Sequence, residues 1–292
     1  MLCVVILTFN EEGHLDRCLE SLSPLNAFLI VVDSFSSDST ALIASRHNAR
    51  FIQNRFINQA QQFNFALTEL PKDVKWVLRI DADEYLTPKL AHSINEALAS
   101  PSEVMGYGLK RRMTFAGNLI KHGGLFPVEI VRLFRFGHGV CEERWMDEHI
   151  VVDGPVGQLE GELIDDNLKS LTWWIQKHNL YSNREAVEVL KLKYAPNTAN
   201  KTMAGSAGLK RLIKERIYSK LPVVPKVLAY FLYRYVIRLG FLDGKEGFAF
   251  HFLQGFWYRY LVEAKVQEVE RCVQTNKVEL HEAIERVLEI RL

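Results

Sequence analysis

The sequence predicts an α/β protein, a mainly parallel sheet flanked by helices, followed by a helical C-terminal appendage. Three observations carry this. Short apolar, partly β-branched runs at 3–8, Phe28–Val32 and 75–80 have the length and content of buried strands. Segments of helical periodicity separate them, and strand–helix alternation calls for parallel strands joined by right-handed crossovers. Beyond residue 200 such runs give way to basic, aromatic-rich helical patterns.

In order, residues 3–8 form the first strand, Thr8–Gly13 a polar loop, and 14–23 a helix with Leu15, Leu19 and Leu22 on one face. The second strand ends in Asp33. Ser34-Phe35-Ser36-Ser37-Asp38-Ser39-Thr40 then leads into a helix at about 40–48, with Asp38 or Ser39 as its cap. Phe51-Ile52 is a short third strand, 59–69 a helix, and 75–80 the fourth strand, running into Asp81-Ala82-Asp83-Glu84. Strands one, two and four thus deliver polar groups to one sheet edge. Open α/β sheets bind ligands at that edge.

The 292-residue length allows one catalytic domain plus an appendage, divided here as 1–200 and 201–292 with a nucleotide-binding half over 1–100. A net charge of +1 argues against a nucleic-acid binder. Cys3, Cys18, Cys141 and Cys272 are scattered without a CxxC pair, which argues against a zinc site or a disulfide framework and fits a reducing cytoplasm. The N-terminal run lacks the basic region and cleavage site of a signal peptide, and no uncharged apolar run reaches the ~18 residues of a membrane span.

In an extended segment residues i and i+2 point the same way. Asp81 and Asp83 are therefore expected to face one ligand with Ala82 turned away. Paired carboxylates of this kind suit Mg²⁺ or Mn²⁺, whose remaining ligands are waters and substrate phosphates. Neither G-x-G-x-x-G nor G-x-x-x-x-G-K-[ST] is present, so a dinucleotide dehydrogenase or P-loop kinase is not expected.

A first strand ending in Thr8-Phe9-Asn10-Glu11-Glu12, a second ending in Val31-Val32-Asp33-Ser34 with Ser36, Asp38 and Thr40 following, and a fourth ending in Asp81-Ala82-Asp83-Glu84 together resemble glycosyltransferase family 2. The likeness points to bacterial enzymes of lipopolysaccharide-core and surface-polysaccharide assembly. It implies a GT-A fold, a nucleotide-sugar donor (a UDP-sugar first), a divalent metal, and inversion at the anomeric carbon. By the same resemblance Thr8, Asn10 and Glu11 lie near the nucleoside, Asp33 contacts the base, Ser36 and Asp38 complete that loop, and Gln62 and Asn64 line the pocket. Asp81 and Asp83 hold metal and diphosphate. Arg79, in the same strand, is counted with the substrate-binding set. Phe63 stands where the family often has a basic residue.

Residues 89–99 read as a helix and Val104–Leu109 as a strand. Basic residues and glycines then alternate with short β runs, and the resemblance assigns this half to the acceptor side and part of the diphosphate clamp. Guanidinium chemistry makes Arg132 and Arg135 candidate bidentate phosphate ligands, with a solvated basic face as the alternative for each. An inverting transfer needs a carboxylate to take the acceptor hydroxyl's proton. Asp147 and Glu148 are adjacent, so in an extended segment only one reaches the acceptor; Asp147 is preferred. His149 is a candidate third metal ligand. Residues 167–194 read as a helix.

Between 201 and 265 there are twelve Lys/Arg against four Asp/Glu. In the helix after Pro222 and Pro225, Lys226, Arg234 and Arg238 form a narrow polar stripe on an otherwise apolar, aromatic cylinder. Gly240–Gly247 reads as a turn, 248–261 as a second aromatic helix, and 276–292 as a final amphipathic one. A basic helix with a wide aromatic face suits a membrane interface. The competing expectation is a hairpin packed on the catalytic domain or across an oligomer.

The functional expectation is an inverting, metal-dependent glycosyltransferase, cytoplasmic and peripheral on the inner face of the cell membrane, acting on a saccharide or glycolipid acceptor. A sugar-phosphate nucleotidyltransferase is the enzymatic rival, although Thr8–Gly13 is acidic where that class has a glycine-rich basic loop. A non-catalytic membrane-associated scaffold is the other.

Overall fold

The computed structural model describes residues 1–100, 102–142, 148–194 and 222–291. The chain forms two compact units, Met1–Lys121 with Leu125–Lys169, and His122–Gly124 with Ser170–Leu292. The helix expected from 167 belongs to the second unit and begins at Leu171.

The first unit is built on a nine-stranded sheet. Its strands are β1 (Leu2–Thr8), β2 (Ala27–Asp33), β3 (Arg50–Gln53), β4 (Trp76–Asp81), β5 (Glu84–Leu86), β6 (Gly106–Phe115), β7 (Asn118–Leu119), β8 (Val128–Arg135) and β11 (Val156–Asp165), while β9 (Gly139–Cys141) and β10 (Ile150–Val152) pair as a separate hairpin. The order is β3-β2-β1-β4-β8-β6-β11-β5, with β7 on β6. The first four neighbours are parallel. β11 is also parallel to β6, whereas β8 runs antiparallel to both β4 and β6, and β5 antiparallel to β11, so the sheet is parallel through β3-β2-β1-β4, as expected, and mixed beyond β4. The physical reason is that α/β alternation stops after α4 (Pro88–Ala99), and short loops then return the chain without helical crossovers.

β1 is buried on both faces, as its uninterrupted apolar run requires. Leu2, Val4 and Ile6 pack with Leu15, Leu19 and Leu22 of α1 (Leu15–Leu22) and with Leu90 and Ile94 of α4. Cys3 and Val5 face the other way, toward Ala60, Phe63 and Ala66 of α3 (Gln59–Thr68). α2 (Thr40–Arg46) joins the α1 layer through Ile43 and Ala44. Local chemistry sets the helix starts: Asn58 accepts from the Gln61 amide at 2.8 Å, and Thr87 caps α4 with Pro88 in its first turn.

The second unit is helical. α5 (Leu171–Tyr194), α8 (Tyr258–Asn276) and α9 (Leu280–Leu288) share a core of Ala186, Leu190, Val262, Val266, Ala283 and Ile284. Between them in sequence, α6 (Val223–Leu232) runs into a π-helical turn, Tyr233–Ile237; Gly240–Asp243 is 3₁₀, α7 spans Gly244–Phe250, and a second π-helical stretch, His251–Trp257, leads into α8. The expected turn at Gly240–Gly247 is therefore mostly helical. Of the polar stripe, Arg238 is exposed and the other two charges are not. Lys226 and Arg234 are buried, Lys226 against Glu263 and Arg234 against His251 and Gln254 at 3.0 Å each. A charge that finds partners inside the hairpin has no need of bulk water. Among the described residues no helix is long and apolar enough to cross a membrane.

Candidate active site

Register alone brings three predicted residues together. Thr8 sits opposite Asp33, and Leu7 opposite Asp81, so the carboxyl ends of β2, β1 and β4 form one edge. Asp33 is fully buried there. Its carboxylate accepts from Thr8 Oγ1 at 2.9 Å, from the Ser36 amide at 2.7 Å and hydroxyl, and from Gln53 Nε2 at 3.3 Å. Every lone pair in reach is used, so Asp33 first of all holds the loop after β2 in shape.

That loop is laced to the one after β1. The Asn10 amide donates to Ser36 Oγ at 2.8 Å, and Asn10 Oδ1 accepts from the Ser37 amide at 2.9 Å. The Glu11 amide donates to Thr40 Oγ1 at 2.9 Å, the Glu12 amide to Asp38 Oδ2 at 3.1 Å, and the Ser39 amide to Glu12 Oε2 at 3.0 Å. Asn10 takes φ +53° and Phe35 +63°, left-handed turns that let the two loops meet. The Glu11 carboxylate accepts from Lys169 Nζ at 2.8 Å and lies 2.6 Å from His14 Nδ1. His14 Nε2 accepts the Leu168 amide at 2.8 Å, which leaves the ring proton on Nδ1, facing Glu11. Asn10, Glu12, Ser37, Asp38 and Lys169 line a cleft of about 440 Å³ at this edge.

β4 ends at Asp81, and the chain turns over Ala82-Asp83 before β5. Asp81 is thus the last residue of the strand while Asp83 lies in the tight turn, so the extended backbone expected from sequence does not continue through both. Ala82 points into the core, as expected, but the two carboxylates have different surroundings. Asp83 accepts from Asn167 Nδ2 at 2.9 Å. Asp81 accepts from Arg132 Nη2 at 3.0 Å, with Arg79 Nη2 at 3.6 Å. Arg132 also bonds Glu84 at 3.1 Å, and Glu84 meets Arg111 Nε at 3.0 Å and the Asp81 amide at 2.9 Å. Arg111 reaches on to Asp165. Three acids and three arginines thus interlock. Burial alone would raise Asp81, but Arg132, Arg79 and Arg111 outweigh it and hold Asp81 well below the usual carboxylate range. Burial dominates at Glu84, aided by the Asp81 charge, and pushes it up to about 7.

The other predicted residues divide. Gln62 is buried, donating to Ser34 Oγ and the Asn54 carbonyl at 3.2 Å each, and so braces the loop after β2 from behind. Asn64 clamps Cys141, donating to its carbonyl at 2.9 Å and accepting its amide at 3.0 Å. Arg79 donates to Gln59 at 2.9 Å and to the Cys141 sulfur at 3.4 Å. Arg135 does not join the cluster. It pairs in register with Trp76, at the opposite end of β4 from Asp81, stacks on the Trp76 ring, and donates to the Val104 and Ser102 carbonyls. Its guanidinium is thus committed to structure at the far edge, which removes it as a phosphate ligand. His149 is exposed and bonds Glu142 at 3.0 Å, closing the β9–β10 hairpin. Glu148 is half-buried, and its charge reaches the Cys141 thiol that Arg79 contacts. Asp147 lies outside the described residues.

Among the described residues no group of three His, Cys, Asp or Glu side chains is placed to hold a metal ion. Asp81 and Asp83 still fit one. A small, hard divalent ion bound with a nucleotide diphosphate needs only one or two carboxylates from the protein.

Sequence reasoning overlooked Glu84, Arg111, Asp165, His14 and Lys169. Asp165 carried the same signal as Asp33 and Asp81, an apolar pair running into a carboxylate, in Leu163-Ile164-Asp165-Asp166.

Comparison with known proteins places these features in context. The model of the family described as Glycosyl transferase family 2 matches residues 3–123. The chain is 33% identical over 192 residues, 63% of it and 70% of the relative, to a lipopolysaccharide core biosynthesis glycosyltransferase, LpsC, of Rhizobium meliloti. It is 25% identical over 276 residues, 90% of it and 86% of the relative, to an uncharacterized glycosyltransferase of Rickettsia typhi. Among solved structures it resembles glucosyl-3-phosphoglycerate synthase from Mycobacterium tuberculosis, in complex with Mn²⁺, UDP and glucosyl-3-phosphoglycerate, at 22% identity and a TM-score of 0.33 over 39% of this chain and 44% of that one. A likeness at that score carries no weight for the site.

Proposed function

The chain belongs to glycosyl transferase family 2 and is a glycosyltransferase; from that premise we propose that it moves a sugar from a nucleotide-sugar, a UDP-sugar first, to a saccharide acceptor with inversion at the anomeric carbon. The observation that carries this reading is the shared edge, where Thr8, Asp33 and Asp81 end three adjacent parallel strands in register. In this reading the laced loops after β1 and β2 receive the nucleoside, with Asn10, Glu11, Ser36 and Asp38 at its rim. Asp81 and Asp83 hold Mn²⁺ or Mg²⁺, which when bound neutralises charge on the departing diphosphate. Arg132 and Arg79 keep Asp81 ionised for that task. Asp147 or Glu148 takes the acceptor hydroxyl's proton as it attacks, a contribution of typically ~10²–10⁴-fold.

The relative named for lipopolysaccharide core biosynthesis supports an acceptor in lipopolysaccharide or surface-polysaccharide assembly. Such an acceptor is lipid-linked, which fits an enzyme peripheral on the inner face of the cell membrane.

Calorimetric titration with UDP, GDP and CMP, each with and without Mn²⁺, tests the donor assignment. Metal-dependent binding of one nucleotide, lost in Asp83→Ala, is expected; binding of none overturns the reading. For the base, Asp147→Asn is expected to abolish turnover and spare nucleotide binding. Near-normal turnover in Asp147→Asn together with loss in Glu148→Gln would move the role to Glu148.

A further inference from the structure

The hairpin of the second unit is inside out. On α6 and its π-turn, Lys226, Tyr230 and Arg234 recur every four residues and face inward: Lys226 is 8% exposed and Arg234 2%. Val224, Leu228, Leu232 and Val236 recur at the same interval on the opposite side, and all are exposed, with Ile237 beside them at 69%. The second arm repeats the pattern. His251 is fully buried, bonding Arg234 at 3.0 Å, while Phe248, Phe252, Phe256 and Tyr260 form a ladder of rings spaced 5.9, 5.5 and 6.4 Å apart. Phe248, Phe252 and Tyr260 are exposed. Phe231 stands edge-on to the first three rings and ties the two arms together.

In water the stable arrangement puts apolar side chains in and charges out. This hairpin exposes an apolar face while it buries Lys226 and Arg234 beside Val227 and Phe250, and has equipped its interior to receive the two charges. The π-helical turns help: each widens the helix by a residue, so Arg234 reaches both His251 and Gln254, and Gly255 lies against the guanidinium, where an added Cβ would stand 3.1 Å from Nη1. Burial, with the Arg234 charge, lowers His251 to about 4, so its ring stays neutral beside the arginine. Such a segment is arranged for surroundings less polar than its own interior.

We propose that the hairpin Val223–Tyr260 lies in the headgroup–acyl boundary of a phospholipid bilayer with its exposed aliphatic and aromatic face immersed, held there chiefly by buried apolar area, with charge attraction from the preceding basic segment secondary. This deepens the membrane location in the function proposed above and rests on it. The mode follows from the dimensions. Val223–Ile237 is a run of about 22 Å at ~1.5 Å per residue, short of the ~30 Å hydrocarbon core. Arg238 and Lys245 are exposed where the two arms join, which disfavours entry tip-first and favours an in-plane pose. Charge complementarity favours lipid over a second copy of the chain. The preceding sequence, 201–220, holds six Lys/Arg and one Glu, a partner for phosphate headgroups and a source of repulsion between two copies.

The test is flotation of the full-length protein with neutral phosphatidylcholine vesicles at low salt and in about 1 M NaCl, where the screening length falls to ~3 Å. Binding that changes less than about threefold between the two is expected. Leu232→Asp and Ile237→Asp, both at exposed positions, are expected to lower partitioning at least tenfold while circular dichroism and nucleotide binding stay as in the parent. Binding only to anionic vesicles, lost in high salt, overturns apolar immersion and leaves the peripheral location standing. No binding to either vesicle overturns both. Dimers in solution that the same two variants dissociate, without vesicle binding, assign the face to a second copy. Vesicle binding without binding of any nucleotide leaves the immersion intact and fails the transferase reading instead.

Discussion

Replacing Arg132 by methionine removes a cation that touches both the half-buried Asp81 and the buried Glu84. Arg132 Nη2 lies 3.0 Å from Asp81 and 3.1 Å from Glu84. At an effective dielectric of ~20, each contact is worth ~4 kcal/mol of Coulomb attraction at about 4 Å between charge centres. The cost of burying the guanidinium offsets much of that sum. What the variant leaves behind sets the net result: Asp81 keeps the weaker Arg79 contact at 3.6 Å and the more distant Arg111 charge, and Glu84 keeps Arg111 at 3.0 Å. Breaking a buried pair from one side costs ~3–5 kcal/mol, because a charge is stranded without its partner. Arg132→Met is therefore expected to lose ~3–5 kcal/mol in urea unfolding followed by tryptophan fluorescence at about pH 8, above the Glu84 value of about 7 in the parent. Arg132→Met/Glu84→Gln removes one stranded charge as well and should recover at least ~1 kcal/mol of that loss. A single variant costing under ~1 kcal/mol, or a double variant no better than the single, would refute the view that Arg132 is the shared counter-ion.

Three more outcomes follow from the same geometry. Glu84 has its folded value raised, so the folded state holds a proton that the unfolded state has released; stability should fall as pH rises from 4.5 toward about 7, and a pH series of urea midpoints on Glu84→Gln should lose that slope. Asp81 acts in the opposite sense, its contribution present above the ordinary carboxylate value and lost in acid, so a steep loss of stability in acid should survive in Glu84→Gln. Asn64→Ala strands the Cys141 amide and carbonyl together and should cost ~2–3 kcal/mol in thermal melts, whereas a purely pocket-lining Asn64 would cost little. Gly123 sits at φ +88° with His251 Cε1 2.1 Å from where a Cβ would stand, so Gly123→Ala should destabilise the helical unit by ~2 kcal/mol or more, read from its circular dichroism transition.

The sheet's parallel half was legible because strands buried on both faces must read as apolar runs, and each ran into its polar loop without a break. The mixed half beyond β4 was legible only at Val104–Leu109, the start of β6. β6 and β11 carry Lys110, Arg111, Arg112 and Glu160, Glu162 among their apolar residues, and their pairing is set by partners far away in the chain. Asp81 and Asp83 were legible as a chemical pair, but not as a turn with unlike neighbours, since Arg132 and Asn167 reach them only through the fold. Arg135 misled because its spacing from Arg132 says nothing about which end of β4 it meets. Lys226 and Arg234 misled more deeply. Periodicity placed them correctly on one stripe, yet it cannot say whether a stripe faces solvent or a partner helix supplying Glu263 and His251.

The reciprocal lacing of the loops after β1 and β2 has a thermodynamic consequence. Asn10 gives and takes a hydrogen bond with the opposite loop, as does Glu12, and these exchanges fix the backbone of both loops during folding. Ordering a free loop at the moment of association would cost ~1–2 kcal/mol per residue in backbone entropy. Here that cost falls on the folding equilibrium, so the edge is already shaped when a ligand arrives. Substitutions at Ser36 or Asp38 would then weaken association chiefly through a more unfavourable binding entropy, even where the side chain never touches the ligand.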